Sequence, residues 1–236
     1  RRQAIKLVAL FAETAMADVA LTLDVVSDVV CPWCYVGKRR LEKALALVQD
    51  IPTEVRWRPY QLAPELPPEG KPRCDYMLAK FGDPERIRQI HARLTGIGAE
   101  EGIPFDFDRI AVAPNTLNAH RLILWARSGK TQDRVVEALF SAFFVEGRNL
   151  ADDQVLIEIG ASCGLDRDLL AELFASEADV ERTQREYASA QRIGVTGVPF
   201  FIVAGRYGIA GAESPETIAG AIRQAAGEMA AGSAAP

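Results

Sequence analysis

The run Leu23-Asp24-Val25-Val26-Ser27-Asp28-Val29-Val30-Cys31-Pro32-Trp33-Cys34-Tyr35-Val36-Gly37-Lys38-Arg39 changes its apolar period at the two cysteines. Upstream, Leu21, Leu23 and Val25 alternate with Thr22, Asp24 and Val26 in a stretch rich in Val and Leu, which predicts a strand over Ala20 to Val30. Downstream, Val36, Leu41, Ala44, Leu45 and Val48 recur at helical spacing, and Pro32 suits a first helical turn. A Cys-x-x-Cys pair therefore opens a helix directly after a strand.

That placement has a chemical meaning. The unpaired N–H groups and positive dipole end of a helix stabilise a thiolate, drawing a cysteine below its free pKa of about 8.5. The thiolate is the attacking species in disulfide exchange. Cys31 is thus expected to be the nucleophile, and Cys34, one turn on and facing inward, the resolving thiol. Cys-x-x-Cys is also half of many zinc sites, but those need a second ligand pair. The remaining candidates, Cys74, Cys163, His91 and His120, are scattered singly, so no metal is expected. Cys74 and Cys163 read as small buried hydrophobes.

Working outward, Pro52 ends the first helix and Thr53 to Tyr60 reads as a second strand. A Pro-rich loop from Leu62 to Pro72 follows. Helices are then expected over 74–81, 84–100, 115–128, 131–146, 152–162, 166–175 and 178–192, separated by Gly, Pro and Ser breaks that include Ser128-Gly129. Strand character returns at Val198 to Val203, and the turn Ala204-Gly205-Arg206 leads into Tyr207 to Ala210 as a hairpin. Glu213 to Ala226 predicts a last helix, with Ser214 as N-cap and Pro215 at its first position. The order is β-α-β, a helical block, then β-β-α: an α/β fold with a four-stranded sheet, helices on both faces, and the block as an insertion. The corresponding divisions are an N-terminal extension (1–17), a discontinuous sheet domain (18–62 and 193–226), an inserted α-helical subdomain (63–192) and a flexible tail (227–236).

The 236 residues, 49% apolar and 25% charged, suffice for a full core without disulfide staples. A net charge of -5 disfavours nucleic acid as a partner, and the basic run Lys38-Arg39-Arg40 reads as a solvated helix face. No stretch approaches the roughly 18 apolar residues of a membrane span. At the N-terminus, Arg1, Arg2 and Lys6 precede a six-residue apolar run, Leu7 to Ala12, and Ala15-Met16-Ala17 has a cleavage-site form. Because Glu13 follows that run directly, an extension ahead of a natural start at Met16 is expected rather than a signal peptide. The sparse cysteines point to the cytoplasm, with the periplasm as the alternative.

Val195-Thr196-Gly197-Val198-Pro199-Phe200-Phe201 leads into the late strand. A cis Val198–Pro199 bond there would expose a strand edge beside the cysteines, where an extended substrate can pair its backbone. Together with the Leu23 to Arg39 run, with Asn115-Thr116-Leu117-Asn118-Ala119-His120-Arg121, and with Gly194 to Gly211, this stretch resembles the DsbA-like branch of the thioredoxin superfamily, in particular its FrnE-type oxidoreductases. The resemblance spans residues 20 to 226. It implies a thioredoxin-like fold interrupted by a helical insertion, a redox-active Cys31–Cys34 pair, and a cis Pro199 facing it.

By the same resemblance Pro32, Trp33, Val198 and Pro199 border the substrate, and Asn115 and His120 shape the cleft above Cys31. From the residues themselves, Asn115 reads equally as a helix cap and His120 as a semi-buried structural side chain. Relatives of this branch include the glutathione-linked 2-hydroxychromene-2-carboxylate isomerases and kappa-class glutathione transferases, in which a serine typically stands at the position of Cys31. The intact pair favours thiol–disulfide exchange with protein or small-molecule disulfides, with no tightly bound cofactor and glutathione as a conceivable co-substrate. A glutathione-dependent isomerase or transferase and a non-catalytic binding module are the alternatives, and both a monomer and a homodimer stay open. Two departures from the pattern stand out. The buried acid that many relatives place six residues before the first cysteine is Val25 here, with Asp24 on the other strand face. The dipeptide Pro32-Trp33 lacks the histidine of strongly oxidising members, so a milder potential is expected.

Overall fold

The structure, a computed structural model, describes residues 20–127 and 131–233. The N-terminal extension (1–17) and the Ser128-Gly129 break lie outside the described residues. At the centre is β1 (Leu21–Ser27), parallel to β2 (Thr53–Pro59) and antiparallel to β5 (Phe200–Val203), which continues into β6 (Tyr207–Ala210). The sheet order is β2-β1-β5-β6, a thioredoxin-like mixed sheet. Its register sets Val25 opposite Trp57 on one side and Phe201 on the other.

The alternation of β1 distributes its side chains between two layers. Leu21, Leu23 and Val25 point into the main core with Ile218 and Ile222 of α9 (Pro215–Ser233) and Val36 and Leu41 of α1 (Pro32–Ala46). Val26 points the other way, onto Tyr60, Val195 and Ala190 of α8 (Val180–Arg192). Between β2 and β5 run α2 (Arg73–Phe81), α3 (Pro84–Glu100), α4 (Leu117–Trp125), α5 (Gln132–Phe144), α6 (Asp153–Ser162), α7 (Arg167–Phe174) and α8. Aspartate side chains cap three of them: Asp83, Asp152 and Asp166 accept from the backbone N–H groups of Glu85, Gln154 and Leu169. Phe140, Phe143 and Phe144 of α5 are fully buried, and Tyr35 of α1 stacks on Phe140 with ring centres 4.9 Å apart, which joins the helical block to the sheet layer.

Several expectations need correction. The first strand ends at Ser27, and Asp28 to Val30 form a turn closed by the Cys31 N–H donating to the Asp28 carbonyl at 3.0 Å. Helix α9 continues to Ser233, so residues 227–233 of the expected flexible tail are helical. Alanine is the strongest helix former, and Met229 packs on the core. Lys71–Pro72 (β3) and Val112–Ala113 (β4) pair as a small second sheet inside what read as loops.

Lys38-Arg39-Arg40 is not a solvated face. Lys38 is only 2% exposed, and its Nζ meets Glu42 as well as Asp133 and Glu137 of α5, each at 3.1 Å. Arg39 pairs with Glu137 and Arg40 with Glu101, so the basic run ties α1 to its neighbours. Cys163 is buried as expected, whereas Cys74, on α2, is exposed. No helix among the described residues is long and apolar enough to cross a membrane.

Candidate active site

Cys31 is the N-cap of α1: its backbone is still extended, with φ -95 and ψ 112, while its carbonyl already accepts from the Cys34 N–H at 3.0 Å. Pro32 takes the first helical position, where a missing N–H costs nothing. Both cysteines are free thiols, and both are buried. The Cys34 thiol faces that of Cys31, and its pKa is pushed well above the usual thiol range, first by burial and then by Cys31 beside it. The Ser27 side chain and the Asp28 backbone pull weakly in the opposite direction. Trp33, between the two cysteines, stands 36% exposed, free to touch an incoming molecule.

The late strand supplies the opposite wall. The Val198–Pro199 peptide is cis, and the Cys31 thiol lies 3.5 Å from the Val198 carbonyl oxygen. Close approach is possible because position 37 has no side chain. A Cβ built on Gly37 would come within 2.9 Å of Pro199 Cγ. The structure thus brings Cys31, Pro32, Trp33, Cys34, Val198 and Pro199 to one end of the sheet.

Asn115 and His120 stand one layer back. Asn115 Oδ1 accepts from the Leu117 N–H and from Gln61 Nε2, both at 3.0 Å, and its amide nitrogen donates to the Leu66 carbonyl at 2.6 Å. The N-cap of α4 is Thr116 rather than Asn115, which, one residue earlier, holds the turn into the helix and clamps the loop after β2. His120, 3% exposed, donates from Nε2 to the Tyr60 carbonyl at 2.9 Å. Both side chains therefore hold residues 60–66 in place.

The residues that sequence reasoning passed over are Ser27 and Asp28. Val25 is buried in the apolar core, and Asp24 is paired with Arg58 at 2.7 Å. Asp28, by contrast, is completely buried beside the cysteine turn. Its Oδ2 accepts from the Leu62 N–H at 2.7 Å, and its Oδ1 lies 3.5 Å from His120 Nε2 without a hydrogen bond of its own. A polar pair closing an apolar strand just before Cys-x-x-Cys was the available signal. Among the described residues, no three His, Cys, Asp or Glu side chains converge as a metal site.

Comparison with known proteins agrees with this geometry. The family described as DSBA-like thioredoxin domain matches residues 22–223. The chain belongs to that DsbA-like family. Of solved structures, the probable DsbA oxidoreductase SCO1869 from Streptomyces coelicolor superposes on this DsbA-like protein with a TM-score of 0.81. The two are 31% identical, and the match covers 88% of this chain and 91% of that one. The cytosolic disulfide reductase DsbM from Pseudomonas aeruginosa, solved with GSH, shares the fold at a TM-score of 0.59 and 23% identity, over 89% of this chain and 98% of that one. The uncharacterized protein YwbO of Bacillus subtilis is 27% identical over 183 residues, which is 77% of this DsbA-like chain and 86% of YwbO.

Proposed function

We propose that this DsbA-like protein is a dithiol–disulfide exchange enzyme in which Cys31 attacks and Cys34 resolves. The observation that carries the reading is the position of Cys31: N-cap of α1, its sulfur 3.5 Å from the Val198 carbonyl and facing the thiol of Cys34. In the reducing direction the Cys31 thiolate attacks one sulfur of a substrate disulfide, forming a mixed disulfide and releasing the first substrate thiolate. Cys34 then loses its proton and attacks Cys31, which releases the second substrate thiolate and leaves a Cys31–Cys34 disulfide. Two electrons pass from the protein to the substrate, and the reverse sequence oxidises a dithiol.

In this reading the edge around Val198 and Pro199 pairs with an extended substrate, and Pro32 and Trp33 supply apolar contact. Asn115 and His120 act indirectly, by holding the 60–66 loop. No step calls for a metal or a tightly bound cofactor. The substrates are protein or small-molecule disulfides, with glutathione as a co-substrate and the cytoplasm as the compartment. The name of the DsbM relative, a cytosolic reductase solved with GSH, supports those two assignments.

The test is intact mass after incubation with oxidised glutathione. Cys34→Ser should retain one glutathionyl adduct on Cys31, and Cys31→Ser should retain none in the active site. Failure of Cys34→Ser to trap an adduct, together with glutathione-dependent turnover of aromatic substrates unaffected by that change, would move the assignment to an isomerase. Indifference of every activity to both substitutions would leave a binding module.

A further inference from the structure

Disulfide exchange asks something of Cys34 that the groups around it do not obviously supply. Once Cys31 carries the first half of the substrate, Cys34 must give up its proton and attack. Yet its thiol is 1% exposed, and burial, then Cys31 beside it, holds the proton on. The charged side chains that flank it in sequence are committed elsewhere. Lys38 and Arg39, one turn further along α1, both pair with Glu42 and Glu137. Asp28 turns its carboxylate towards the Leu62 N–H and His120, and Asp24 is paired with Arg58. The rest of the layer around Cys34, including Val25, Val36 and Phe201, is apolar.

One polar side chain remains. The alternation of β1 puts Ser27 on the same side as Val25, two residues or about 6.6 Å nearer the cysteine turn. Its carbonyl accepts from the Tyr60 N–H at 3.0 Å, which fixes the end of the strand. Its hydroxyl is buried and makes no hydrogen bond among the described residues, and the group it bears on is the Cys34 sulfur. Buried hydroxyls are nearly always paired, and leaving one unpaired costs free energy. A thiol is a weak acceptor, so the reduced protein gives this hydroxyl little to bind. A thiolate is a far better one. The unpaired donor is thus aimed at a charge that exists only while Cys34 reacts, which is the condition for lowering a barrier without stabilising a ground state. The Asp28 backbone N–H reaches the same sulfur as a second donor.

We propose that Ser27 is a catalytic residue of the resolving step, its hydroxyl and the Asp28 N–H donating to the Cys34 thiolate as that sulfur attacks the Cys31 mixed disulfide. The bond between Cys31 and the substrate sulfur breaks, and the Cys31–Cys34 bond forms. The departing substrate thiolate carries away the electron pair of the broken bond and takes up, through solvent, the proton that Cys34 released. Ser27 keeps its own proton throughout and acts as a donor, not as a base. This inference rests on the exchange reading and adds to it the group that carries charge on the second sulfur.

The test is rapid acid quench and intact mass of the full chain after the reduced protein is mixed with oxidised glutathione, which separates formation of the Cys31 adduct from its resolution. Ser27→Ala should leave adduct formation unchanged and slow resolution about tenfold near neutral pH, the loss expected for one hydrogen bond to a charged group. The equilibrium with glutathione should stay where it was, because neither the reduced nor the oxidised protein carries a thiolate at Cys34 there. Ser27→Thr, which keeps the hydroxyl, should restore the rate. The urea midpoint of reduced Ser27→Ala should equal or exceed that of the unaltered protein, since the change removes an unsatisfied buried group, whereas a structural serine would show a fall. Should Ser27→Thr fail to fold, the rates, equilibrium and midpoint of Ser27→Ala decide. Unchanged resolution, a slowing matched by a shift in the equilibrium, or a clear loss of stability would each overturn the proposal. Absence of any Cys31 adduct on the unaltered protein would bring down the exchange reading and this inference with it, while an adduct whose resolution ignores Ser27 brings down the inference alone.

Discussion

Replacing Gly37 by alanine tests whether the gap between α1 and Pro199 is as tight as the site requires. The added carbon would lie 2.9 Å from Pro199 Cγ and 3.4 Å from Phe201 Cζ. Carbon atoms rest at about 3.5–4.0 Å, so roughly 0.6–1.1 Å must open between the helix and the late strand. Pro199 is a rigid ring and Phe201 is fully buried, so neither can swing aside. Overpacking of this kind costs about 1–3 kcal/mol, against which the higher helix propensity of alanine returns about 0.8–1.0 kcal/mol. The expected net loss is about 1 kcal/mol, a fall in Tm of about 2–4 °C for a chain of this size.

Activity should suffer more than stability. The opening would carry the Val198 carbonyl away from Cys31, now 3.5 Å distant, and a displacement near 1 Å at a reacting centre costs up to about 100-fold. Thermal unfolding of the reduced protein and the rate of insulin reduction measure the two effects. A Tm raised by about 2–4 °C with an unchanged rate would mean that helix propensity alone is at work, and the steric reasoning would be refuted.

Two further outcomes follow from the charges. The Cys34 pKa is raised on folding, so the reduced protein holds that proton at pH values where the unfolded chain has lost it. This contribution is complete below the unfolded thiol value and is lost as pH climbs from about 9 towards the folded one. Urea midpoints of the reduced protein should therefore decline more steeply above about pH 9 than those of Cys34→Ala, and parallel curves would contradict the assignment. Lys38→Met should lower stability by about 2 kcal/mol in urea titrations at pH 7, because three carboxylates lose a shared cation. That figure sits below the usual cost of breaking a buried pair because Glu42, Asp133 and Glu137 are themselves 31–60% exposed. A loss indistinguishable from zero would assign Lys38 to packing of its stem alone.

The parts of the fold that local periodicity controls were legible in the chain. The expected helix over 84–100 matches Pro84–Glu100, and the expected 178–192 matches Val180–Arg192 to within two residues. The β5–β6 hairpin and the Ser214 cap of α9 were legible for the same reason: each is a contact among neighbours in sequence. What escaped was non-local. Two-residue strands such as Lys71–Pro72 carry no period and exist only because Val112 and Ala113 come alongside. Lys38 looked solvated because two of its three acids, Asp133 and Glu137, arrive from α5, about a hundred residues later. Asp28 read as part of the first strand, and nothing local reveals that Leu62 and His120 enclose it. The cis Val198–Pro199 bond was foreseen through family resemblance, since an X-Pro pair by itself favours trans.

The contact between Cys31 and Val198 joins positions 167 residues apart. A ribosome adding about 5–20 residues per second needs roughly 8–33 s to cover that interval. Throughout that time the nascent chain already displays both sulfurs while the backbone that will cover them has yet to be synthesised. Oxidants, chaperones and other emerging cysteines meet the pair first in this uncovered state, so translation order itself leaves the two thiols open to mispairing until Val198 and the strand after it arrive.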